Sequence, residues 1–436
     1  MHMLPRPSQE PIVTGDRPAG EVALELWQRL LAEPWPLPLE ALPPGTALVG
    51  GAVRDGLLGR LAAKPDLDLV VAGDAIALTR ELARSHGGSC VVLDADHGIA
   101  RLVVAGWTID LASRDGDSLE ADLGRRDYTV NAIALPLITG QAGPAQLVDP
   151  TGGLAHLQRR QLVAVSEANL LADPLRLLRG IRLACSIDFS LEPTSRAWIK
   201  HHASQLGSVA GERVLAELEK LAAAPCGGQG LRLALECGLL QSWGADSSAS
   251  AALAHLNLEQ ARQRGLAAAE TDWALPLARL SALLPAEALA RLRSSRRLQQ
   301  RCRALRHWQQ QLAQAGGWAA LTEASHLALH RQLEADLPAL LLLVPEPHLP
   351  LLERWRDPDD PLLHPRPPLD GRSLQQQLTI PAGPELGRLL DHLTLERAFG
   401  RLPCGREPSA AAKALAAAER WWLQQEQHRG ADGRHD

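Results

Sequence analysis

The stretch Lys64-Pro65-Asp66-Leu67-Asp68-Leu69-Val70-Val71 decides how this chain is read. In an extended strand successive side chains point to opposite faces, so Asp66 and Asp68 share one face while Leu67, Leu69 and Val71 share the other. Carboxylates set side by side repel each other unless a cation lies between them. Hard oxygen donors in small number suit Mg²⁺, which keeps some waters and completes its shell with substrate phosphates. Asp66 and Asp68 are therefore the candidate metal ligands and catalytic residues, and Mg²⁺ is the expected cofactor.

Upstream stands Gly50-Gly51-Ala52-Val53-Arg54-Asp55. Residues 46–49 read as a short buried strand and residues 52–58 as the start of a helix, with the glycine pair in the turn between them. Glycines there let backbone N–H groups approach an anion closely, and a helix N-terminus adds a favourable field. Gly51 and Arg54 are candidate phosphate contacts, the arginine offering a charged fork to phosphate oxygens. Either motif alone is a weak signal; their order and spacing together point to a metal site that handles phosphates. Downstream, Asp110 in Trp107-Thr-Ile-Asp-Leu-Ala112 lies on another expected strand, with Ile109 and Leu111 on the opposite face. It is a candidate third catalytic carboxylate or an acid at a sheet edge, because a mid-sheet carboxylate is costly to bury unpaired.

Two further runs carry chemistry. Arg125-Arg126-Asp127-Tyr128-Thr-Val-Asn131-Ala132 reads as a helix end leading into a strand, or as Arg126 on a phosphate or nucleotide with Asp127 on a ribose hydroxyl. In Asp173-Pro-Leu-Arg176-Leu-Leu-Arg179-Gly-Ile-Arg182 polar groups recur every three residues on an expected helix, with leucine and isoleucine between them. Residues three apart are neighbours on a helix surface. Asp173 and Arg176 can thus present an acceptor and a donor together, which matches cytosine and adenine and mismatches uracil and guanine. Asp173 before Pro174 is also an ordinary helix cap. Asp149-Pro-Thr-Gly-Gly153 is taken as a turn without chemistry.

Composition narrows the class. With 46% hydrophobic and 22% charged residues the chain is an ordinary soluble globular protein, and its net charge of −5 confines any nucleic-acid contact to a local patch. Six widely spaced cysteines form no Cys-x-x-Cys pair, which argues against a zinc ribbon and for a reducing, cytoplasmic setting. The start Met-His-Met-Leu-Pro-Arg-Pro has no apolar core of signal-peptide type. The apolar run from Leu337 to Val344 is too short to span a bilayer, so no membrane role is expected.

The expected class is α+β. Strands are expected at 46–49, 66–72, 90–94, 100–105, 107–112 and 130–137, with a helix over 74–86. From about residue 166 the periodicity is helical and predicts no strand. Residues 1–22 are expected to be disordered, 23–140 to form a catalytic head, 141–222 a helical neck, and 223–436 a helical body and tail. Arg291, Arg293, Arg296, Arg297, Arg301, Arg303 and Arg306 lie in a helical stretch free of acids, a candidate RNA-binding face or a solvated helix surface.

In this order the motifs resemble those of the bacterial-type (class II) tRNA nucleotidyltransferases and their poly(A) polymerase relatives, over roughly residues 45–222, including Gly211-Glu-Arg213-Val-Leu-Ala-Glu217-Leu-Glu-Lys220. A weaker echo covers Leu369-Asp-Gly-Arg-Ser-Leu and Ile380-Pro-Ala-Gly-Pro-Glu-Leu-Gly387. The resemblance implies a polymerase-β-like nucleotidyltransferase sheet followed by an all-helical neck, body and tail. It implies metal binding by Asp66 and Asp68 with Asp110 as third carboxylate, and nucleotide contacts from Gly51 and Arg54. Arg126, Arg179 and Arg182 match nucleotide- or triphosphate-contacting arginines, and Asp173 with Arg176 the amino-acid template for the base.

The implied reaction is attack by an RNA 3′-OH on the α-phosphate of CTP or ATP, with a tRNA 3′ end as partner and no DNA. Two departures stand out. Ala172 occupies a place where the family often has Glu, and the segment between Asp110 and Arg125 is short. Many members that add the full CCA end carry there a longer flexible loop, associated with switching the template from C to A. A short loop resembles the enzymes that stop after two C residues. CCA addition, CC addition, poly(A) synthesis and an inactive RNA-binding module remain open at this point.

Overall fold

The computed structural model describes residues 10–12, 17–30, 35–137, 146–345, 349–403 and 408–432. It divides into two units, one formed by Met1–Glu217 with Leu233–Ser242 and the other by Leu218–Arg232 with Trp243–Asp436.

In the first unit, α1 (Ala19–Leu30) and α2 (Gly51–Leu57) accompany a sheet built from β1 (Ala47–Val49), β2 (Leu67–Val71), β3 (Ser89–Asp94), β4 (Ile99–Val104), β5 (Trp107–Ser113) and β6 (Ala134–Pro136). The strand order is β3-β4-β5-β2-β1-β6. Only β2 and β5 run parallel, and their register sets Leu67 against Ile109 and Asp68 against Asp110. Leu67, Leu69, Ile109 and Leu111 are at most 1% exposed. Helix α3 (Ala75–His86) packs on β3, β4 and β5. Its start is capped by Asp74, which accepts from the Ala77 N–H at 3.0 Å, and it stops at Gly87 with φ 68°.

The strands at 46–49, 66–72, 90–94, 100–105 and 107–112 fall where alternation places them. The one expected at 130–137 is half its length: Thr129–Asn131 turns as a 3₁₀ helix and only Ala134–Pro136 pairs with β1. Asn131 and Ala132 donate instead to the Tyr128 and Thr129 carbonyls, a local closure that alternation does not register. The N-terminal expectation is also revised. Residues 1–9 and 13–16 lie outside the described residues, but Ile12 is 1% exposed with its N–H on the Leu57 carbonyl, and α1 begins at Ala19.

Helix α4 (Leu119–Leu123) stands between β5 and β6, and after the sheet come α5 (Gly153–Gln158), α6 (Glu167–Ala172), α7 (Leu175–Ile187), α8 (Pro193–His201) and α9 (Gly211–Ala223), the last of which crosses the boundary between the units. Asp149 accepts the Gly153 and Leu154 N–H groups at 2.7 and 2.9 Å, the expected turn. A further correction lies here: β7 (Gln161–Leu162) pairs in parallel with β8 (Ser190–Leu191), past the point where no strand was expected. Two-residue strands are shorter than any periodicity window.

The described part of the second unit is helical, with long members at Ala268–Leu283, Arg296–Ala315, Pro384–Ala398 and Pro408–Asp432. Arg279, 1% exposed, donates to the Leu256, Ala222 and Ala224 carbonyls, so main-chain dipoles at helix ends neutralise a buried cation. Leu374, Ile380, Leu389, Leu393, Leu402 and Ala414 close a separate small core around the segment 369–387. Among the described residues Cys90, Cys185, Cys226, Cys237 and Cys302 form no disulfide, and Cys404 lies outside the described residues. Among the described residues no helix is long and apolar enough to cross a membrane.

Candidate active site

The site lies in the first unit, on the face of the sheet opposite Leu67 and Leu69. The registers β4–β5 and β5–β2 set Arg101, Asp110 and Asp68 in one row across three strands. Asp66 stands one position before β2, on the side of Asp68. Burial pushes the Asp68 carboxyl above the ordinary Asp range, Asp110 and Asp66 push the same way, and Arg126 and the Gly51 N–H pull against them. Both Asp110 oxygens are held by Arg101, from Nε at 2.8 Å and Nη2 at 2.9 Å. Arg101 thus belongs to the site and escaped the sequence reading. Its signal was a charge in the otherwise apolar run Ile99-Ala-Arg-Leu-Val-Val104, visible only once the strand pairing is known.

Gly50 has φ +71°, and a Cβ there would stand 2.6 Å from Asp68 Oδ2. Only glycine suits that turn, both for its backbone conformation and for the room it leaves the carboxylate. Gly51 then opens α2 with its N–H on Asp68. Arg54 projects from α2 and is fixed on two sides. It forks onto Asp55 at 2.8 and 3.0 Å, and its Nη1 donates to Asn131 Oδ1 at 2.8 Å.

Asn131 in turn donates to Asp127 Oδ1 at 3.2 Å, which also accepts the Tyr128 N–H at 2.8 Å. Arg179 approaches the other Asp127 oxygen at 3.5 Å. Asp127 is 7% exposed, so this carboxylate is first of all the bracket between Arg54, through Asn131, and Arg179. Asn131 was quoted in its motif without a role. Its i, i+4 spacing from Asp127 was the available clue.

Arg126 donates to Asp122 Oδ2 at 3.3 Å from Nε and 3.1 Å from Nη2. Asp122, 7% exposed, takes the Asp115 N–H on its other oxygen at 3.0 Å, and Arg125 pairs with Asp115. Ser118 caps α4 through the Ala121 N–H at 3.2 Å. The short link between β5 and α4 is therefore pinned at both ends, and Asp122 is the anchor that the sequence reading missed.

The neck residues fall into two groups. Asp173 is not on the helix with Arg176 as the three-residue spacing suggested; it sits in the break between α6 and α7 with φ −140° and ψ 100°. Its Oδ1 accepts the Leu175 N–H at 3.2 Å and its Oδ2 accepts Arg213 at 2.8 Å. Arg176 donates from Nη1 to the Arg125 and Asn169 carbonyls at 3.0 and 2.9 Å, which leaves its Nε and Nη2 edge uncommitted among the described residues. Arg179 is half-exposed beside Asp127.

Arg182 differs. Its Nε donates to Glu217 Oε2 at 2.5 Å, and the two side chains are 15% and 6% exposed. That buried pair places Arg182 in the packing between α7 and α9. The fully buried Tyr128 donates to the Arg176 carbonyl at 2.9 Å, and burial raises its phenol well above the ordinary value.

In the second unit Arg291, Arg293, Arg296, Arg297 and Arg303 are exposed. Arg301 forks onto Asp336 at 2.7–3.0 Å, and Arg306 tucks inward onto the Ala282 carbonyl at 3.1 Å. The face is thus shorter than the run of arginines implied, since an acid 35 residues further along neutralises one of them.

The donor set of the sheet face, carboxylates without sulfur or imidazole, is that of a hard divalent cation. The upward push on Asp68 is what such a cation relieves, so the residues fit. Among the described residues no three acidic, His or Cys groups converge on one point, and both Asp110 oxygens are engaged by Arg101.

A mixed sheet carrying adjacent carboxylates beside a glycine turn and a fixed arginine defines the nucleotidyltransferase class. Residues 46–114 and 110–163 match the poly(A) polymerase head domain, and residues 188–243 match a probable RNA- and SrmB-binding site of polymerase A. The chain is 34% identical over 409 residues to the CC-adding tRNA nucleotidyltransferase of Synechocystis sp., covering 87% of this chain and 96% of that protein. It is 41% identical over 208 residues to the A-adding tRNA nucleotidyltransferase of Deinococcus radiodurans, 47% of this chain and 46% of that one. Its fold is similar to the crystal structure of the Bacillus stearothermophilus CCA-adding enzyme in complex with CTP, with TM-score 0.66, 23% identity, and coverage of 96% and 100%. The chain belongs to the tRNA nucleotidyltransferase family, which shares its head with poly(A) polymerases. It is an enzyme of that class, its reaction is nucleotidyl transfer to a tRNA 3′ end, and it draws on a divalent metal.

Proposed function

We propose that this chain is the CC-adding form of the enzyme, with Mg²⁺ held by Asp66 and Asp68. The observation that carries the subtype is the link between β5 and α4. Anchored by Asp122 and the Ser118 cap, it has no slack to act as the long loop does in members that add A. The similarity to the Synechocystis CC-adding protein over nearly its whole length favours the same reading.

In this reading the RNA 3′-OH attacks the α-phosphate of CTP in line. The O3′–Pα bond forms as the bond from Pα to the α,β-bridging oxygen breaks, the hydroxyl proton passes to solvent, and pyrophosphate departs with the bridging oxygen. Bound Mg²⁺ lowers the hydroxyl's pKa and neutralises charge on the leaving group. The chain's own part is alignment, which accounts for much of the rate in phosphoryl transfer. Arg54, held by Asp55 and Asn131, and Arg126 and Arg179, each beside a buried aspartate, face the triphosphate. Asp173 and the uncommitted edge of Arg176 read the base. Each Asp173 oxygen has accepted one bond and keeps a lone pair for an exocyclic amine, while Arg176 donates to the unprotonated ring nitrogen. The exposed arginines 291, 293, 296, 297 and 303 meet the tRNA backbone.

The test is extension of tRNA transcripts ending at the discriminator base, in C, or in CC, with each labelled nucleotide supplied separately. Two C additions and no A on the CC end support the assignment. AMP added to the CC end overturns it, in favour of CCA addition where C is also added to the shorter ends and of A addition where it is not, and long A tracts on any RNA select a poly(A) polymerase.

A further inference from the structure

We infer that Arg101 sets the divalent-cation affinity of the site by holding Asp110 out of the cation's shell, so that the free enzyme binds metal through Asp66 and Asp68 alone. The inference rests on the metal assignment above and adds a residue to it. Two observations carry it. The strand registers set Arg101, Asp110 and Asp68 side by side, so the guanidinium and the carboxylate pair share one face of the sheet. The fork is two-pronged: Nε and Nη2 each take a different Asp110 oxygen, at 2.8 and 2.9 Å, a geometry only arginine offers.

Two carboxylates with a guanidinium beside them make a moderate cation site; three carboxylates without it make a tight one. A tight resting site is poor for turnover, because pyrophosphate must carry charge away. The arrangement lets Asp110 change partners, from Arg101 in the free enzyme to the reacting centre once nucleotide and RNA neutralise the arginine with their phosphates. Arg101 is 43% exposed at its side chain, so it is free to turn toward an arriving phosphate while Asp110 remains at 25%. Arg101 is accordingly a positioning residue, acting on the chemistry through Asp110.

The experiment is calorimetric or paramagnetic titration of the full chain with Mn²⁺, without nucleotide, comparing the natural protein with Arg101→Gln, Arg101→Lys and Arg101→Gln/Asp110→Asn. Removing one positive charge and freeing one carboxylate is expected to tighten Mn²⁺ binding about tenfold in Arg101→Gln, or about 1.4 kcal/mol. Lysine, keeping the charge without the fork, is expected to fall between the two. The double variant is expected to return to the natural affinity or below. In steady state Arg101→Gln lowers kcat while the KM for CTP stays within about twofold.

Unchanged or weaker Mn²⁺ binding in both single variants overturns the inference, and so does a tightening that survives Asp110→Asn, since the freed ligand is then not Asp110. If Arg101→Gln does not fold, the lysine variant decides alone by the same criterion. A natural protein that binds no Mn²⁺ in the absence of nucleotide instead sinks the underlying assignment to Asp66 and Asp68.

Discussion

Replacing Arg182 with alanine separates the two readings of that residue most cleanly. As a triphosphate contact it would raise the KM for CTP and leave the fold alone. The structure instead joins it to Glu217 at 2.5 Å, with side-chain exposures of 15% and 6%, in the interface where α7 meets α9. Removing one partner of a buried pair leaves the other as a desolvated charge, which destabilises by roughly 3–5 kcal/mol. Glu217 makes a further interaction and Arg182 is not wholly buried, so about 3 kcal/mol is the expected loss. That is a large part of the ~5–15 kcal/mol typical of a domain.

The assay is urea unfolding of the natural protein, Arg182→Ala, Glu217→Ala and Arg182→Leu/Glu217→Leu, beside CTP kinetics at a temperature where all are folded. Both alanine variants should lose stability. The double leucine variant should recover most of it, because an apolar pair of similar volume needs no desolvation of charge. Near-natural KM values are expected throughout. An Arg182→Ala protein that unfolds at the natural urea concentration while its KM rises tenfold refutes the argument and restores the triphosphate role.

Other expectations follow from the same geometry. Asp68→Asn should raise the thermal midpoint of the metal-free protein, because burial and the neighbouring carboxylates hold the Asp68 carboxyl above its unfolded value, so its ionised form at neutral pH is a net cost to the fold. The same variant should lose the further rise in midpoint that Mg²⁺ gives the natural enzyme; a retained rise would place the metal elsewhere. His330 is 1% exposed, stacked on Trp318, and held by burial at about 3. Its contribution is present above the unfolded value of 6.5 and is lost as pH falls from there toward 3. Melting curves across that range should therefore be flatter for His330→Phe than for the natural protein. At Gly180 an added Cβ would meet the Tyr128 ring, its Cζ at 2.5 Å, so Gly180→Ala should cost about 1–3 kcal/mol by overpacking, read by urea unfolding. It should also loosen the Tyr128 bond to the Arg176 carbonyl, visible as a higher KM for CTP.

The carboxylate row shows why part of the site was legible in one dimension. Strand alternation has a period of two, so Asp66 and Asp68 had to share a face wherever Leu67 and Leu69 were buried, and Asp110 stood in the same relation to Ile109 and Leu111. Nothing local could say that β2 and β5 are adjacent and parallel, the one fact that brings Asp110 beside Asp68. Arg101 shows the same limit: its role exists only through the β4–β5 register. Spacing along a helix misled at Asp173, because Pro174 breaks the helix there and the aspartate turns to Arg213.

Sequence alone settled what short-range geometry dictates: an α+β head with helices after it, the glycine turn before Arg54, and which carboxylates lie on a common face. Tertiary structure alone decided which charges are spent on the protein itself. Arg182 is paired with the buried Glu217 and Arg301 with Asp336, whereas Arg176 keeps an uncommitted edge and Arg179 stays half-exposed beside Asp127. The reason is physical: a buried charge must find its counter-charge, and for Arg182 and Arg301 that partner stands 35 residues away along the chain, beyond the reach of any local pattern.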